Sequence, residues 1–178
     1  MPRIVVLGTS GAGKSTVAGD LSRIYGCPHV DLDDLARGPN WQRVSDEEFQ
    51  RRVHTALAAP EWIIDGDYQR KLGDDVLKRA ETAIWLDLPL RVSLARMWKR
   101  TSHRIRNQVE LSHGNRMSWN LDLLRWLQRE VRSHVRRRLK MPRRLGRYSQ
   151  LNVVRLRSQR QVDEWLAEHN FAHFAKLS

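Results

Sequence analysis

The chain has 178 residues, 40% of them hydrophobic, a single cysteine and a formal net charge of +12. This length fits one domain over residues 1–178, Cys27 excludes an internal disulfide, and no segment approaches the roughly twenty apolar residues of a membrane span. The first apolar run leads into a glycine-rich loop rather than a signal-peptide cleavage site, so we expect a cytoplasmic protein without membrane attachment. The oligomeric state is left open.

The chain begins with a predicted strand, a glycine loop and a helix. Residues 4–7 are an apolar run, and apolar side chains recur at helical spacing over 17–24. The loop between them, residues 8–16, has the Walker A spacing G-x-x-x-x-G-K-[ST], in which backbone N–H groups and a helix N-terminus face phosphates. Lys14 would reach the β- and γ-phosphates of ATP and Ser15 would bind Mg²⁺. The predicted ATP-binding residues are Gly8, Ser10, Gly11, Ala12, Gly13, Lys14, Ser15 and Thr16.

Two aspartates follow in a predicted strand over residues 29–33. The carboxyl ends of strands in an open parallel sheet face the ligand crevice, so Asp31 and Asp33, two residues apart, should both point towards the phosphates. We predict that both contact the acceptor and that Asp33 also lies near Mg²⁺. The alternative is that these acids cap the next segment.

A turn-rich connector over residues 38–44 contains Trp41, which either stacks on an acceptor ring or covers the edge of the core. The sequence Ser-Asp-Glu-Glu that follows, residues 45–48, is a capping box and predicts a helix over 46–59. Both alternatives for Trp41 remain open.

A second central strand over residues 61–65 is predicted to bring Asp65 beside the phosphate loop. A carboxylate there can hold a metal-bound water or accept the proton of an acceptor. Gly66 leaves room for a ligand, and Arg70 either clamps an anionic acceptor or lies at the surface. The predicted acceptor site therefore includes Asp65, Gly66, Tyr68 and Arg70, with Asp65 also a candidate metal ligand.

A strand over residues 82–87 precedes a helix expected to turn Leu90, Leu94, Met97 and Trp98 towards the core. Apolar periodicity then disappears in a basic stretch, which predicts a lid insertion over 99–120. A lid of this kind brings guanidinium groups onto the transferring phosphoryl, and the first candidates are Arg96, Arg100 and Arg104. The alternative is a disordered basic loop.

The longest predicted helix, residues 119–141, should bury Leu124, Leu127, Val131, Val135 and Leu139. Residues 91–160 carry twenty Lys and Arg against three acidic residues. This imbalance indicates an anionic partner, either a phosphorylated substrate or a nucleic acid bound along residues 125–144. A fifth strand over 151–156 and a last helix opened by a second capping box at residues 158–161 complete the chain.

The predicted order of elements implies an α/β three-layer sandwich of the P-loop NTPase type, with a five-stranded parallel sheet between helices. Three functions fit this order: an ATP-dependent phosphotransferase acting on a nucleotide, a kinase of another small hydroxylated acceptor, and a nucleotide-dependent protein that binds nucleic acid. The first two differ only in the acceptor.

The motifs together resemble the P-loop nucleoside-monophosphate kinase superfamily, on the side of adenylate and shikimate kinases. The resemblance rests on the phosphate loop, Asp-x-Asp at 31–33, Asp-Gly-x-x-x-Arg at 65–70 and Leu-Asp-x-Pro at 86–89. It implies a Mg-ATP-dependent kinase with a basic lid and a small acceptor. The chain is also similar to a bacterial group labelled adenylate kinase or DNA topology modulation protein, in which Asp67 is usually asparagine.

Overall fold

The structure is a computed structural model that describes residues 2–38, 42–111, 116, 118–119 and 121–177, without the side chains of 121–124, 126–127 and 171–177. Five parallel strands form one sheet in the order β2-β3-β1-β4-β5. The strands are β1 Arg3–Gly8, β2 His29–Asp31, β3 Trp62–Asp65, β4 Thr82–Leu86 and β5 Asn152–Leu156. The predicted parallel five-stranded sheet is confirmed.

Helices connect the strands, as parallel pairing requires. They are α1 Lys14–Tyr25, α2 Leu32–Leu35, α3 Asp46–Leu57, α4 Gln69–Leu72, α5 Asp75–Arg79, α6 Leu90–Arg106, α7 Leu121–Leu145 and α8 Gln159–Leu177. The capping box that opens α3 is present, because the Ser45 hydroxyl accepts a hydrogen bond from the Glu48 amide at 3.1 Å. No helix among the described residues is long and apolar enough to span a bilayer.

The core consists of two layers separated by the sheet. Alternate residues of a strand point to opposite faces, so Val5 and Leu7 pack with α3 and α5 whereas Ile4 and Val6 pack with α1. Met141 and Leu145 from the end of α7 join the first layer, and Val162 from α8 joins the second. Each face of β1 is therefore covered, which holds the loop after it on a rigid support.

The buried face of α6 differs from the prediction. Trp98 is 56% exposed, whereas Ser93, Met97, Thr101 and Ile105 are buried. These residues recur every four positions and form one stripe, in which the small serine and threonine side chains permit close packing. The helix also continues to Arg106, so the expectation that apolar periodicity disappears over residues 101–118 is wrong for residues 101–106. The boundaries 99–120 of a lid insertion stay a prediction.

The buried face of α7 also differs from the prediction. Val135 and Leu139 are 53% and 72% exposed, whereas His134 and Arg144 are buried together with Met141. Side chains of Leu124 and Leu127 lie outside the described residues. Polar partners on the rest of the molecule, described below, bond the Nδ1 atom of the buried histidine and the guanidinium of the buried arginine, so hydrophobicity alone selects the wrong face.

Candidate functional site

The phosphate loop, residues 8–16, connects the end of β1 to the start of α1. Gly11 and Gly13 have φ of 78° and 96°, in the left-handed region that glycine adopts without strain. A Cβ on Gly11 would lie 2.3 Å from the carbonyl oxygen of Ser93 in α6. Only glycine fits there, and α6 packs directly against the loop. The predicted strand-loop-helix arrangement is confirmed, and the individual ATP contacts stay predictions.

The reactive side chains of the loop lie where the helix begins. Lys14 is half-buried, and its Nζ donates to the carbonyl of Thr9 at 3.5 Å, so the ammonium group reaches back across the loop. Ser15 and Thr16 are exposed in the first turn of α1. The Lys14 ammonium and the Ser15 hydroxyl are thus accessible to an anion held by the loop amides.

A groove of about 370 Å³ runs from this loop between α6 and α8. Arg96 lies on one wall and donates to the Gln159 side-chain oxygen at 2.6 Å, and Arg100 lines the same groove. Arg104 lies one turn further along α6 and does not line the groove among the described residues. Burial and the neighbouring charge of Arg100 lower the pKa of Arg104. The three arginines predicted to act together are therefore divided between the groove and the far end of the helix.

Residues of α8 that the sequence analysis did not assign to a ligand site form the other wall of the groove. Gln159 bonds Asp163 at 2.5 Å, and Val162 and Leu166 supply apolar surface. The sequence signal that could have found them is the position of α8, which begins just after β5. The carboxyl ends of all strands meet at one edge of the sheet, so the start of this helix lies at that edge. A second capping box marked this helix start without indicating a ligand.

Two carboxylates lie side by side at that edge, on neighbouring strands. Asp31 and Asp65 are register partners of β2 and β3, and Asp65 is 3% exposed. His29 donates to the Asp65 carboxylate at 3.1 Å, and this hydrogen bond raises the pKa of His29. Burial and the charge of Asp65 raise the pKa of Asp31. The position of Asp65 beside β1 agrees with the prediction, whereas the role of His29 was missed.

The predicted strand over residues 29–33 ends two residues early. Asp31 caps α2 by accepting a hydrogen bond from the Asp33 amide at 2.7 Å, so Asp33 lies in the helix. The expectation that the two aspartates project from one strand is wrong, and the capping alternative is correct for Asp31. Asp33 instead accepts a hydrogen bond from the Tyr68 hydroxyl at 2.7 Å. This contact brings Asp33 and Tyr68 together, although the sequence separates them widely.

The remaining predicted acceptor residues have different surroundings. Gly66 has φ of 121°, and a Cβ on it would lie 3.0 Å from the Leu32 Cβ. Leu32 therefore occupies the space that was expected to admit a ligand. Arg70 is exposed on α4 and makes no ion pair with a described residue. Trp41 lies outside the described residues, and ligand contacts by all three stay predictions.

The inner face of α7 covers the start of the phosphate loop. Buried His134 is hydrogen-bonded through Nδ1 to the Thr9 hydroxyl at 3.2 Å, and Arg137 donates to the Gly8 carbonyl at 3.4 Å. Arg138 forms an ion pair at 3.2 Å with Asp87, which is 4% exposed at the end of β4. Burial, with Arg138 beside it, lowers the pKa of His134. The sequence analysis missed these contacts because they join distant segments.

These contacts change the interpretation of the basic stretch 125–144. Arg137 bonds the phosphate loop, Arg138 pairs with buried Asp87, and Arg144 pairs with the partly buried Asp67 and Asp74, although the whole stretch was a candidate for binding nucleic acid. Arg129, Arg132 and Arg136 are exposed. Part of the positive charge is therefore used inside the molecule, and the nucleic-acid alternative is not favoured.

Comparison with known proteins agrees with this arrangement. A family model described as AAA domain matches residues 4–117, from β1 through α6. The chain belongs to the AAA domain family. This AAA domain contains the phosphate loop, both edge carboxylates and the predicted arginines of α6.

Curated relatives of the AAA domain are kinases. A cytidylate kinase of Pyrococcus abyssi is 29% identical over 112 residues, which cover 54% of this chain and 60% of that protein. A cytidylate kinase of Pyrococcus horikoshii is 28% identical over 112 residues, covering 54% of this chain and 56% of that protein. The chain thus spans less than two-thirds of the length of either relative.

Solved structures show the same fold over almost the whole chain. A gluconokinase from Sinorhizobium meliloti has a TM-score of 0.51 at 19% identity and covers 99% of this chain and 93% of its own. A shikimate kinase from Aquifex aeolicus has a TM-score of 0.51 at 16% identity, and the match covers 98% of this chain and 97% of that protein. The fold is that of the P-loop kinases.

Proposed function

We propose that this protein is a Mg-ATP-dependent kinase that transfers the γ-phosphoryl group to a small acceptor, with nucleoside monophosphates as the first acceptor class. One observation carries the proposal: a single edge of the sheet brings the phosphate loop beside buried Asp65, with the Asp33–Tyr68 pair on the following segments. Phosphoryl transfer depends mainly on positioning and charge stabilisation, and the residues at this edge would supply both.

The donor would bind along the loop and the groove beside it. The amides of residues 8–16 and the Lys14 ammonium would hold the phosphates, and the groove lined by Arg96 and Gln159 has room for the rest of the nucleotide. We infer that Arg96 and Arg100 neutralise phosphate charge from the side of α6. Arg104 would join them only if the end of α6 moves.

The donor set at the edge fits magnesium. The described residues contain no group of three or more His, Cys, Asp or Glu side chains able to hold a metal by themselves. Mg²⁺ in kinases usually takes one or two protein ligands and fills its shell with phosphate oxygens and water. Exposed Ser15, with Asp65 or Asp33, would hold the ion, which when bound draws charge from the phosphate oxygens.

The acceptor would approach from α2 and the segment after β3. Asp33 and Tyr68 would contact it directly, and Arg70, exposed and without a described ion-pair partner, would bind its anionic group. For a hydroxylated acceptor, Asp33 or Asp65 would take the proton released as oxygen bonds to phosphorus. Cytidylate kinase activity of the two relatives makes CMP the first compound to test.

The test is ATP consumption measured against CMP, AMP, gluconate and shikimate, with the wild-type chain and the variant Lys14→Ala. We expect one acceptor to stimulate ATP consumption. We expect Lys14→Ala to lower kcat/KM by about 100-fold or more, because the variant lacks the positive charge that would stabilise the transferring phosphoryl group. Lys78→Ala, which removes an exposed lysine of α5, is the matched control and should keep wild-type activity. An unchanged rate in Lys14→Ala, or ATP hydrolysis that no acceptor stimulates, would contradict the proposal.

A further inference from the structure

The segment after β3, residues 66–74 and here called the acceptor segment, has a backbone that needs external support. Gly66 and Gly73 have φ of 121° and 56°, and Tyr68 has φ of 39° although it is not glycine. A bulky residue in the left-handed region is disfavoured and persists only where its surroundings hold it. The contacts that hold this segment therefore decide where Tyr68 and Arg70 lie.

One buried guanidinium bonds both ends of the acceptor segment. Arg144, 7% exposed, pairs with Asp67 through Nη1 and with Asp74 through Nε at 2.7 Å, and its Nη2 donates to the Gly73 carbonyl at 3.4 Å. The two carboxylates raise the pKa of Arg144 despite its burial. The short helix α4, which carries Arg70, lies between the two ends, so Arg144 closes the segment into a small loop.

The same helix face reaches the phosphate loop. His134 and Arg137 of α7 contact Thr9 and Gly8, and Arg144 follows Arg137 by seven residues, about 10 Å along a helix. Other contacts of the segment come from elsewhere: Lys71 of α4 pairs with Asp46 of α3, and Asp46 is 60% exposed. Among the described hydrogen bonds and ion pairs of the segment, those made by Arg144 come from the helix that touches the phosphate loop.

We propose that Arg144 is a positioning residue that sets the place of the acceptor segment relative to the phosphate loop, and thereby the affinity for the acceptor. The inference rests on the kinase function proposed above. Arg144 does this through Asp67 and Asp74 and does not touch the reacting atoms. Loss of its bonds should weaken acceptor binding while leaving the ATP groove, which α6 and α8 form, unchanged.

The test compares Arg144→Lys and Asp67→Asn with Asp46→Asn. Lysine keeps the charge but cannot bond two carboxylates as a planar guanidinium does, and asparagine in place of Asp67 keeps the shape of the side chain without its charge. We expect the KM for CMP, or for the panel acceptor that is phosphorylated in its place, to rise about 10-fold in Arg144→Lys and about 3-fold in Asp67→Asn. The KM for ATP should stay within about twofold. Asp46→Asn breaks a more exposed ion pair to the same segment and should leave both values unchanged.

A second measurement, amide hydrogen exchange without any acceptor, keeps the two proposals separate. Exchange over residues 66–74 should rise in Arg144→Lys while the strands β1 and β3 stay protected, which also shows that the variant folds. If the wild type phosphorylates an acceptor whose KM does not change in Arg144→Lys, the positioning role is wrong. If no acceptor is phosphorylated, the kinase proposal fails, and unchanged exchange over 66–74 would then overturn the positioning role as well.

Discussion

On the donor side of the site, backbone geometry shapes the phosphate loop, whereas on the acceptor side contacts between distant side chains hold the segment that would bind the acceptor. Gly11 and Gly13 adopt left-handed φ values within nine consecutive residues, and the neighbouring helix fits against Gly11. The acceptor segment depends on Asp33 of α2 and Arg144 of α7. The donor side is thus local in sequence, and the acceptor side is assembled from three separate parts of the chain.

The donor side should be the more sensitive to a single methyl group. Gly11→Ala combines a left-handed φ of 78° with a Cβ only 2.3 Å from the Ser93 carbonyl oxygen, so the loop or α6 must move. We expect a loss of about 3 kcal/mol in the free energy of unfolding, and loss of ATP binding. Chemical denaturation and titration with ATP measure the two effects.

Gly19→Ala is the matched control, because nothing lies within 4 Å of a Cβ at this position of α1. Alanine is the better helix former by about 1 kcal/mol, so this variant should be at least as stable as the wild type. Equal stability of the Gly11→Ala and Gly19→Ala variants would show that α6 does not hold the loop as described.

The edge carboxylates lie between the two sides and should make stability depend on pH. Because the Asp65 hydrogen bond raises the pKa of His29 above its unfolded value, folding favours the protonated imidazole. That contribution is complete below the unfolded pKa of about 6.5 and is lost as pH rises through the folded pKa. His29→Gln should therefore cost about 1 kcal/mol more at pH 5.5 than at pH 9. Urea unfolding at both pH values tests this, and an equal or opposite difference would contradict the pairing.

On the acceptor side, the smallest expected effect is that of Tyr68→Phe. The variant keeps the ring, whose centroid lies 4.8 Å from that of Phe49, and removes the hydroxyl that bonds Asp33. We expect a loss of about 1 kcal/mol in stability or less, and a rise of about threefold in the acceptor KM with the ATP KM unchanged. Steady-state kinetics with the acceptor found in the panel measures it. Phe49→Leu is the control, since it alters the packing against the Tyr68 ring and keeps the Tyr68 hydroxyl. An equal rise in the acceptor KM of Phe49→Leu would show that the hydroxyl has no role of its own.

Apolar runs, glycine spacing and a capping box predicted the strands, the phosphate loop and the helix after Ser45, because each of these signals lies within a few neighbouring residues. Hydrophobic periodicity failed where burial depends on partners from elsewhere in the chain. Trp98 and Leu139 are large and apolar but exposed, whereas His134 and Arg144 are polar but buried. A hydrophobic pattern cannot find a buried arginine, because the desolvation cost of its guanidinium is offset by ion pairs with Asp67 and Asp74, which are distant in the chain.

The amino-acid sequence by itself determined the strand-loop-helix of residues 3–25 and the parallel α/β order, since glycine spacing and apolar runs act through local geometry. Only the tertiary structure decided that His29 pairs with Asp65, that Tyr68 reaches Asp33 and that Arg144 bonds the acceptor segment. Those pairs are separated by 35 or more residues in the chain. Their geometry depends on the packing of whole helices against the sheet, which no local pattern encodes.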